Sequence, residues 1–292
     1  MKNLILIAAA LVLMSGCTSL NEAIETPPTY DTEYPPALDE MNFQSDGMRL
    51  NGLMYVADGP GPHPTVLLLH GFPGNEKNLD LAQALRADGF NVLFFHYRGA
   101  WGSEGTFSFT HVIEDVAAAT DFVRANAETY RTDPDKLILI GHSMGGFAAL
   151  AAGAKDETIA CTAGLAPANF GVVANVLAAD PDRKAGFIAY GDSLQMLAGT
   201  DGATLVSELI DNSEAFDALT YAPSFANRSV LIVGADKDEA VPLDAIVRPL
   251  IETYKSEPGV ETTGIVLPGD HSFSWSREAL IDTVLDWAEG CR

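Results

Sequence analysis

The sequence predicts an α/β fold with a mainly parallel, eight-stranded sheet, helices on both faces and a helical cap insertion. Three observations predict it. Two apolar segments, 41–45 and 50–57, flank an Asp46-Gly47 turn and indicate a β-hairpin. Short apolar runs then alternate with segments of helical spacing, which is typical of parallel strands with right-handed crossovers. Residues 169–226 interrupt this alternation with helical patterns alone, and we expect so long an insertion to form a cap.

Six further short runs complete the predicted sheet, and the first of them, at 65–69, is a continuous apolar run as expected for a strand buried on both faces. They cover residues 65–69, 91–95, 137–140, 161–165, 230–233 and 262–267. Helical spacing of apolar residues, or small-residue content bounded by turn signals, indicates the helices between them. We expect helices at 79–87, at 111–125, directly after residue 143, at 243–254 with a break near Pro249, and at 275–287.

The stretch 136–150, KLILIGHSMGGFAAL, carries the first chemical signal. A branched apolar run ends at Gly141, the pattern G-x-S-x-G follows with Ser143 at its centre, and a helix rich in small residues begins at once. So tight a reversal strains the central residue and leaves room only for small residues two positions away. We therefore predict that Ser143 is a nucleophile near the positive end of a helix dipole.

A serine nucleophile needs a base within reach, and the base needs an orienting group. In open α/β sheets such groups gather at the carboxyl ends of the strands. His271 follows the last predicted strand, so we predict that it is the general base. Asp236 and Asp238 follow the strand at 230–233, and the strand position alone leaves both open as the acid.

The chain order Ser, acid, His is the order found in α/β-hydrolases, and residues 41–290 resemble that superfamily. The resemblance implies an α/β-hydrolase fold and a Ser-His-Asp triad that works through an acyl-enzyme. In this family the acid often appears as D-x-x-V-P, and residues 238–242 read DEAVP. This match favours Asp238 as the catalytic acid, with Asp236 as the alternative.

The resemblance also implies an oxyanion hole made of two backbone N–H groups. One is that of Met144, directly after the nucleophile. The segment at 70–74, HGFPG, resembles the family's His-Gly turn and implies the N–H of Phe72 as the second. His70 is expected to hold this turn together, and Arg98 is expected to tie together the loop that follows the strand at 91–95.

Composition excludes several other classes of function. The net charge of −23 disfavours nucleic acid as a partner. The chain has no Walker loop, no G-x-G-x-x-G after the first strand and no cysteine pattern of the metal-binding type, so we expect no cofactor and no metal.

The first residues predict export and membrane attachment. Residues 1–16 have the proportions of a signal peptide, and the segment Met14 to Cys17 resembles a bacterial lipobox. The resemblance implies cleavage before Cys17, a lipid anchor such as palmitate on that residue, and location at the cell envelope, periplasmic or outer; secretion is the alternative. Residues 17–40 are expected to form an extended tether to the domain at 41–292.

Two cysteines remain for the folded domain, Cys161 and Cys291. A disulfide between them is possible in an oxidising compartment, and two buried thiols are the simpler interpretation; the sequence leaves both open.

The function expected from these features is hydrolysis of a carboxylic ester by Ser143, His271 and Asp238. Two alternatives stay open. One is a serine peptidase of the aminopeptidase or prolyl oligopeptidase type, and the other is a non-catalytic, lipid-anchored binding protein. The expected partners are a small ester or peptide substrate and, through Cys17, a membrane.

Overall fold

The computed structural model describes residues 29–292, and the predicted leader, Cys17 and residues 17–28 of the predicted tether lie outside the described residues. Eight strands form one sheet in the spatial order β1-β2-β4-β3-β5-β6-β7-β8. They are β1 (Ala37–Ser45), β2 (Met48–Val56), β3 (His63–Leu69), β4 (Asn91–Phe95), β5 (Thr132–His142), β6 (Cys161–Leu165), β7 (Ser229–Ala235) and β8 (Glu261–Leu267). The pairs β1–β2 and β2–β4 are antiparallel, and the other five pairs in the sheet are parallel. The predicted fold class is therefore confirmed.

The helices lie on both faces of the sheet. They are α1 (Leu79–Ala87), α2 (Phe109–Ala125), α3 (Ala127–Tyr130), α4 (Met144–Lys155), α5 (Phe170–Ala179), α6 (Pro181–Asp192), α7 (Gly202–Asp211), α8 (Arg248–Ser256) and α9 (Arg277–Glu289). Apolar residues of α1 and α9 pack in one buried cluster with one face of the strands. Those of α2, α4 and α8 pack in a second cluster with the opposite face. None of the helices in residues 29–292 is long and apolar enough to span a bilayer.

The helix predicted at 243–254 is two elements in the structure. A π-helical turn covers Leu243–Val247, and α8 begins directly after it with Pro249 in its first turn. Proline has no N–H to donate and clashes with the carbonyl four residues earlier, so the α-helical hydrogen-bond pattern restarts at this point. The break is therefore where the proline predicts it.

The segment predicted as a cap contains α5, α6, α7 and a 3-10 helix at Ala218–Phe225, all between β6 and β7. We call residues 169–226 the cap segment. The carboxylate of Glu208 in α7 accepts hydrogen bonds from the backbone N–H groups of Phe109 and Thr110, at the start of α2. These bonds satisfy N–H groups that a helix leaves free at its first turn, and they fix the cap segment to the sheet domain.

The structure decides between the two interpretations of the cysteines, because Cys161 and Cys291 form a disulfide and the simpler interpretation, two free thiols, is wrong. Cys161 begins β6, and Cys291 lies just beyond the end of α9. Both belong to the buried cluster in which α9 packs on the sheet, and their Cα atoms are 6.0 Å apart. The sequence did not favour this pairing because the cysteines are separated by 130 positions and meet only when α9 docks.

Reduction of this disulfide is expected to lower the free energy of unfolding by about 2–5 kcal/mol, because it releases a long closed loop in the unfolded chain. Urea unfolding with and without dithiothreitol measures the change. The double variant Cys161→Ala/Cys291→Ala is the control, and reductant should leave its midpoint unchanged. A wild-type midpoint that is insensitive to reductant, with two titratable thiols before reduction, would contradict the pairing.

Candidate active site

Ser143 alone makes the reversal between β5 and α4, because the strand ends directly before it and the helix begins directly after it. Its backbone has φ 58° and ψ −119°, a region that costs about 1–3 kcal/mol for a residue with a side chain. Hydrogen bonds compensate for the strain. The Ser143 N–H donates to the Leu165 carbonyl at 2.9 Å, and its own carbonyl accepts from the N–H groups of Phe147 and Ala168.

The glycines two residues before and after Ser143 are required by close backbone approach. A Cβ added at Gly141 would lie 1.9 Å from the carbonyl oxygen of Gly145. A Cβ added at Gly145 would lie 2.1 Å from the carbonyl oxygen of Leu69 in the neighbouring strand. Side chains of any size are therefore excluded at both positions, as the sequence pattern predicts.

His271 is oriented by Asp238. Its Nδ1 donates to Asp238 Oδ2 at 2.7 Å, and the other carboxylate oxygen of Asp238 accepts from the N–H groups of Ala240 and Val241. The Asp238 side chain is fully buried, whereas that of His271 is 24% exposed. Asp236, the alternative acid, instead accepts from the N–H of Gly269 at 2.9 Å.

Ser143 and His271 line one cavity of about 530 Å³. The bond to Asp238 occupies His271 Nδ1, so Nε2 is the nitrogen that remains to act as a base. The Ser143 hydroxyl makes no hydrogen bond to His271 or to any other described side chain. Catalytic hydrogen bonds of this kind are often long before substrate is bound, so the shared cavity is the informative observation.

The cavity wall is mostly apolar and aromatic. Its lining includes Phe72, Phe170, Val173, Phe187, Tyr190, Ala168, Val241 and Ile246. Glu76 is the one charged residue among the described residues of the lining, and no lysine or arginine joins it. Such a wall suits an uncharged, apolar group and offers no cation for a substrate carboxylate.

One of the two predicted oxyanion-hole residues lines the same cavity, and the other directly follows a residue that lines it. Phe72 lies in its wall, and Met144 follows Ser143. Within residues 29–292, neither N–H donates a hydrogen bond to another protein group. Both N–H groups are therefore free to bind a further acceptor.

A pair of histidines, the buried His70 and the partly buried His96, holds the turn that carries the Phe72 amide. His96 Nδ1 lies 3.2 Å from His70 Nε2, and His70 Nδ1 lies 2.8 Å from the carbonyl oxygen of Gly71. Burial lowers the pKa of His70 to about 3 and that of His96 to about 4, so both rings are neutral at pH 7. The carbonyl oxygen can only accept, so His70 donates to it and accepts from His96. Because the peptide unit is planar and trans, fixing the Gly71 carbonyl also fixes the direction of the Phe72 N–H.

Arg98 lies outside the cavity lining and ties its loop to α2. It is buried, its backbone N–H and its guanidinium donate to Asp115, and the guanidinium also donates to Glu114. Both carboxylates belong to α2, so Arg98 has the loop-tying position that we predicted.

Sequence reasoning missed the aromatic residues that the cap segment contributes. Phe187 and Tyr190 are one turn apart on α6, and both lie against Phe72 with ring centroids 6.2 and 6.0 Å away. The signal was present, since they are the only two aromatic residues in a helix that is otherwise small and polar, PDRKAGFIAYGD. Without the fold, nothing showed that this helix turns them toward the cavity that Ser143 lines.

No group of three or more His, Cys, Asp or Glu side chains in the described part of the chain is arranged to hold a metal ion.

Comparison with known proteins identifies the family. Residues 66–283 match the model of the alpha/beta hydrolase family. The chain belongs to that family. Two sequence relatives of this hydrolase are the uncharacterized protein Rv2307c of Mycobacterium tuberculosis, 32% identical over 127 residues, and the esterase EstD of Thermotoga maritima, 29% identical over 131 residues. The first alignment covers 43% of each protein, and the second covers 39% of this chain and 31% of EstD. The chain therefore spans less than half the length of these curated relatives.

Solved structures agree on the fold. Est1E of Butyrivibrio proteoclasticus with ferulic acid bound has a TM-score of 0.68 at 20% identity, over 86% of this chain and 98% of its own. The esterase Pf2001 of Pyrococcus furiosus has a TM-score of 0.61 at 19% identity, over 90% of this chain and 97% of its own.

Proposed function

We propose that this alpha/beta hydrolase cleaves carboxylic esters with Ser143 as nucleophile, His271 as general base and Asp238 as orienting acid. The 2.7 Å bond from His271 Nδ1 to Asp238, in a cavity that His271 shares with Ser143, is the observation that carries the proposal. The strained backbone of Ser143 adds support, since it is typical of a nucleophile elbow. The sequence relationship to the esterase EstD supports the ester substrate.

The mechanism follows from the roles of these groups. Ser143 Oγ attacks the ester carbonyl carbon while His271 Nε2 takes its proton. The N–H groups of Phe72 and Met144 stabilise the negative charge that develops on the carbonyl oxygen. His271 then protonates the departing alcohol, which leaves an acyl-enzyme on Ser143. Water, deprotonated by His271, attacks this ester and releases the acid.

The substrate class follows from the cavity wall. We propose an uncharged ester whose apolar or aryl group packs against Phe72, Phe170, Phe187 and Tyr190. A substrate carboxylate would meet Glu76 in a cavity whose described lining contains no lysine or arginine, in a protein whose net charge is −23. Two like charges about 4 Å apart repel each other by roughly 1–4 kcal/mol near a protein surface, so anionic esters are disfavoured.

Glu76 also favours a second candidate, an aminopeptidase. A carboxylate in the wall of a cavity whose described lining has no lysine or arginine could bind the α-ammonium group of a peptide. Its Oε1 already accepts the N–H of Asn78 at 2.7 Å, which leaves Oε2 for such a contact. The same nucleophile and base would cleave either bond.

A matched substrate panel tests these proposals. We expect p-nitrophenyl butyrate and benzoate to be hydrolysed with a kcat/KM about tenfold or more above that of the p-nitrophenyl hemiester of succinate, because only the last is anionic. The variant Glu76→Gln is the control. It should bring the kcat/KM of the anionic ester closer to that of the uncharged esters, because it removes the charge that repels the substrate carboxylate. Faster turnover of aminoacyl p-nitroanilides than of any ester, reduced by Glu76→Gln, would favour the peptidase instead.

We also propose that the protein is exported and anchored at the bacterial cell envelope by a lipid on Cys17. The Cys161–Cys291 disulfide supports an oxidising compartment, where such bonds persist. In cells fed an alkyne-tagged palmitate, wild type is expected to take up the label and sediment with membranes, and Cys17→Ser is expected to do neither. Unlabelled wild type in the culture medium would favour secretion.

A further inference from the structure

His142, the residue directly before the nucleophile, makes a contact that the proposed mechanism does not use. It ends β5, and its side chain is buried at 3% exposure. Its Nε2 lies 2.7 Å from the backbone carbonyl oxygen of His271. The bond connects two ends of the site, because β6 and β7 lie between β5 and the strand that precedes His271.

The contact fixes the protonation state of the ring. A carbonyl oxygen can only accept, so His142 Nε2 must donate. Burial lowers the pKa of His142 to about 3, so the ring is neutral and its Nδ1 carries no proton at pH 7. This Nδ1 is buried and has no hydrogen-bond partner among the described residues.

An unpaired buried nitrogen costs stability, and an apolar side chain of similar size would avoid that cost. The same replacement would leave the carbonyl oxygen of His271 without this donor, so what the imidazole at position 142 adds is the bond to His271. Nε2, which donates to His271, is the one nitrogen of the ring that has a partner among the described residues. The contribution of His142 therefore lies in that bond.

The bond restrains the base from a side that Asp238 does not reach. Asp238 holds the ring of His271 through Nδ1, and His142 holds its backbone. In the described structure no other hydrogen bond reaches the backbone of His271. The centroids of the His142 and His271 rings are also 4.6 Å apart, and the ring planes are inclined at 42°. His142 therefore packs against the His271 ring as well as binding its backbone.

We propose that His142 is a positioning residue that holds the backbone of His271 so that Nε2 of the base faces Ser143. The proposal rests on the proposed function, in which His271 Nε2 takes the proton of Ser143. It predicts an effect on the chemical step rather than on substrate binding, because His142 reaches the reaction only through His271.

The test compares variants that keep or remove the donor. We expect His142→Leu to lower kcat about 10- to 100-fold with KM within about twofold of wild type, since small displacements of a catalytic base have effects of this size. His142→Gln has an amide nitrogen of similar reach to Nε2, and it should restore kcat to within about threefold of wild type. His142→Asn remains polar but is too short, so it should behave like His142→Leu and serves in its place if the latter does not fold.

His63 supplies a matched control. It is also buried, its Nε2 lies 3.2 Å from the Gly59 carbonyl oxygen, and it begins β3 at the end of the strand away from the site. We expect His63→Leu and His63→Gln to keep the wild-type kcat. Equal loss of kcat in His63→Leu and His142→Leu, a wild-type kcat in His142→Asn, or a change confined to KM would overturn the proposal.

The rate of fluorophosphonate labelling at Ser143 separates this proposal from the proposed function. Labelling needs an activated serine but no ester turnover. If wild type is labelled but hydrolyses no ester, the ester proposal fails, and the labelling rates of the position 142 variants still test His142. We expect those rates to fall with Leu and Asn and to recover with Gln. If wild type is not labelled at all, both proposals fail together.

Discussion

Replacement of Ser143 by alanine is expected to lower ester hydrolysis by about 10⁴-fold or more and to abolish labelling by a fluorophosphonate probe. The variant removes only the oxygen that we propose as the nucleophile. Because that hydroxyl makes no hydrogen bond to another described residue, we expect an unfolding midpoint close to that of wild type. Stopped-flow or steady-state assays with p-nitrophenyl butyrate measure the first effect, and gel fluorescence of the labelled protein measures the second.

Ser276→Ala is the matched control for this prediction. Ser276 is also largely buried, its hydroxyl has no partner among the described residues, and it lies outside the cavity lining. We expect this variant to retain both activity and labelling. If Ser143→Ala is labelled as strongly as wild type, another residue is the nucleophile and the proposed mechanism is wrong.

Local signals in the sequence were sufficient for those elements whose ends are marked by turn residues. Helix 79–87 is followed by Asp88-Gly89, and strand 91–95 by a glycine-containing loop, so both bounds are predicted as the structure has them. The strand predicted at 137–140 is longer, since β5 starts at Thr132. That start depends on pairing with His63 in β3, which a local pattern of polar residues and a proline does not reveal.

The same division applies to the candidate site. Ser143, Asp238 and His271 could be proposed from chain order, because parallel strands bring their carboxyl ends to one edge of the sheet. The aromatic cap residues and the contact from His142 to His271 could not be proposed, since they depend on how helices and loops dock across the sheet. The disulfide could not be predicted for the same reason, because Cys291 reaches Cys161 only when α9 has packed on the sheet.

Asp238→Asn is expected to lower kcat about 10⁴-fold while the fold stays intact. The reason lies in how the side chain is held. The backbone N–H groups of Ala240 and Val241 both donate to Asp238 Oδ1, so an asparagine must keep its carbonyl oxygen there. Its NH₂ group then faces His271 Nδ1, which must accept instead of donate. The ring proton moves to Nε2, and His271 can no longer take the proton of Ser143.

Asp236→Asn is the control, and it also tests the alternative acid. Asp236 Oδ1 accepts the N–H of Gly269, a bond that an asparagine carbonyl oxygen can keep, and its ion pair with Lys237 is exposed. Loss of such a pair has a small effect, so we expect kcat to change by less than about threefold. If Asp236→Asn reduced kcat as strongly as Asp238→Asn, the hydrogen bond to His271 would not be what distinguishes the two carboxylates. The difference in kcat between Asp238→Asn and Asp236→Asn therefore measures how much the rate depends on holding His271 in the tautomer with its proton on Nδ1.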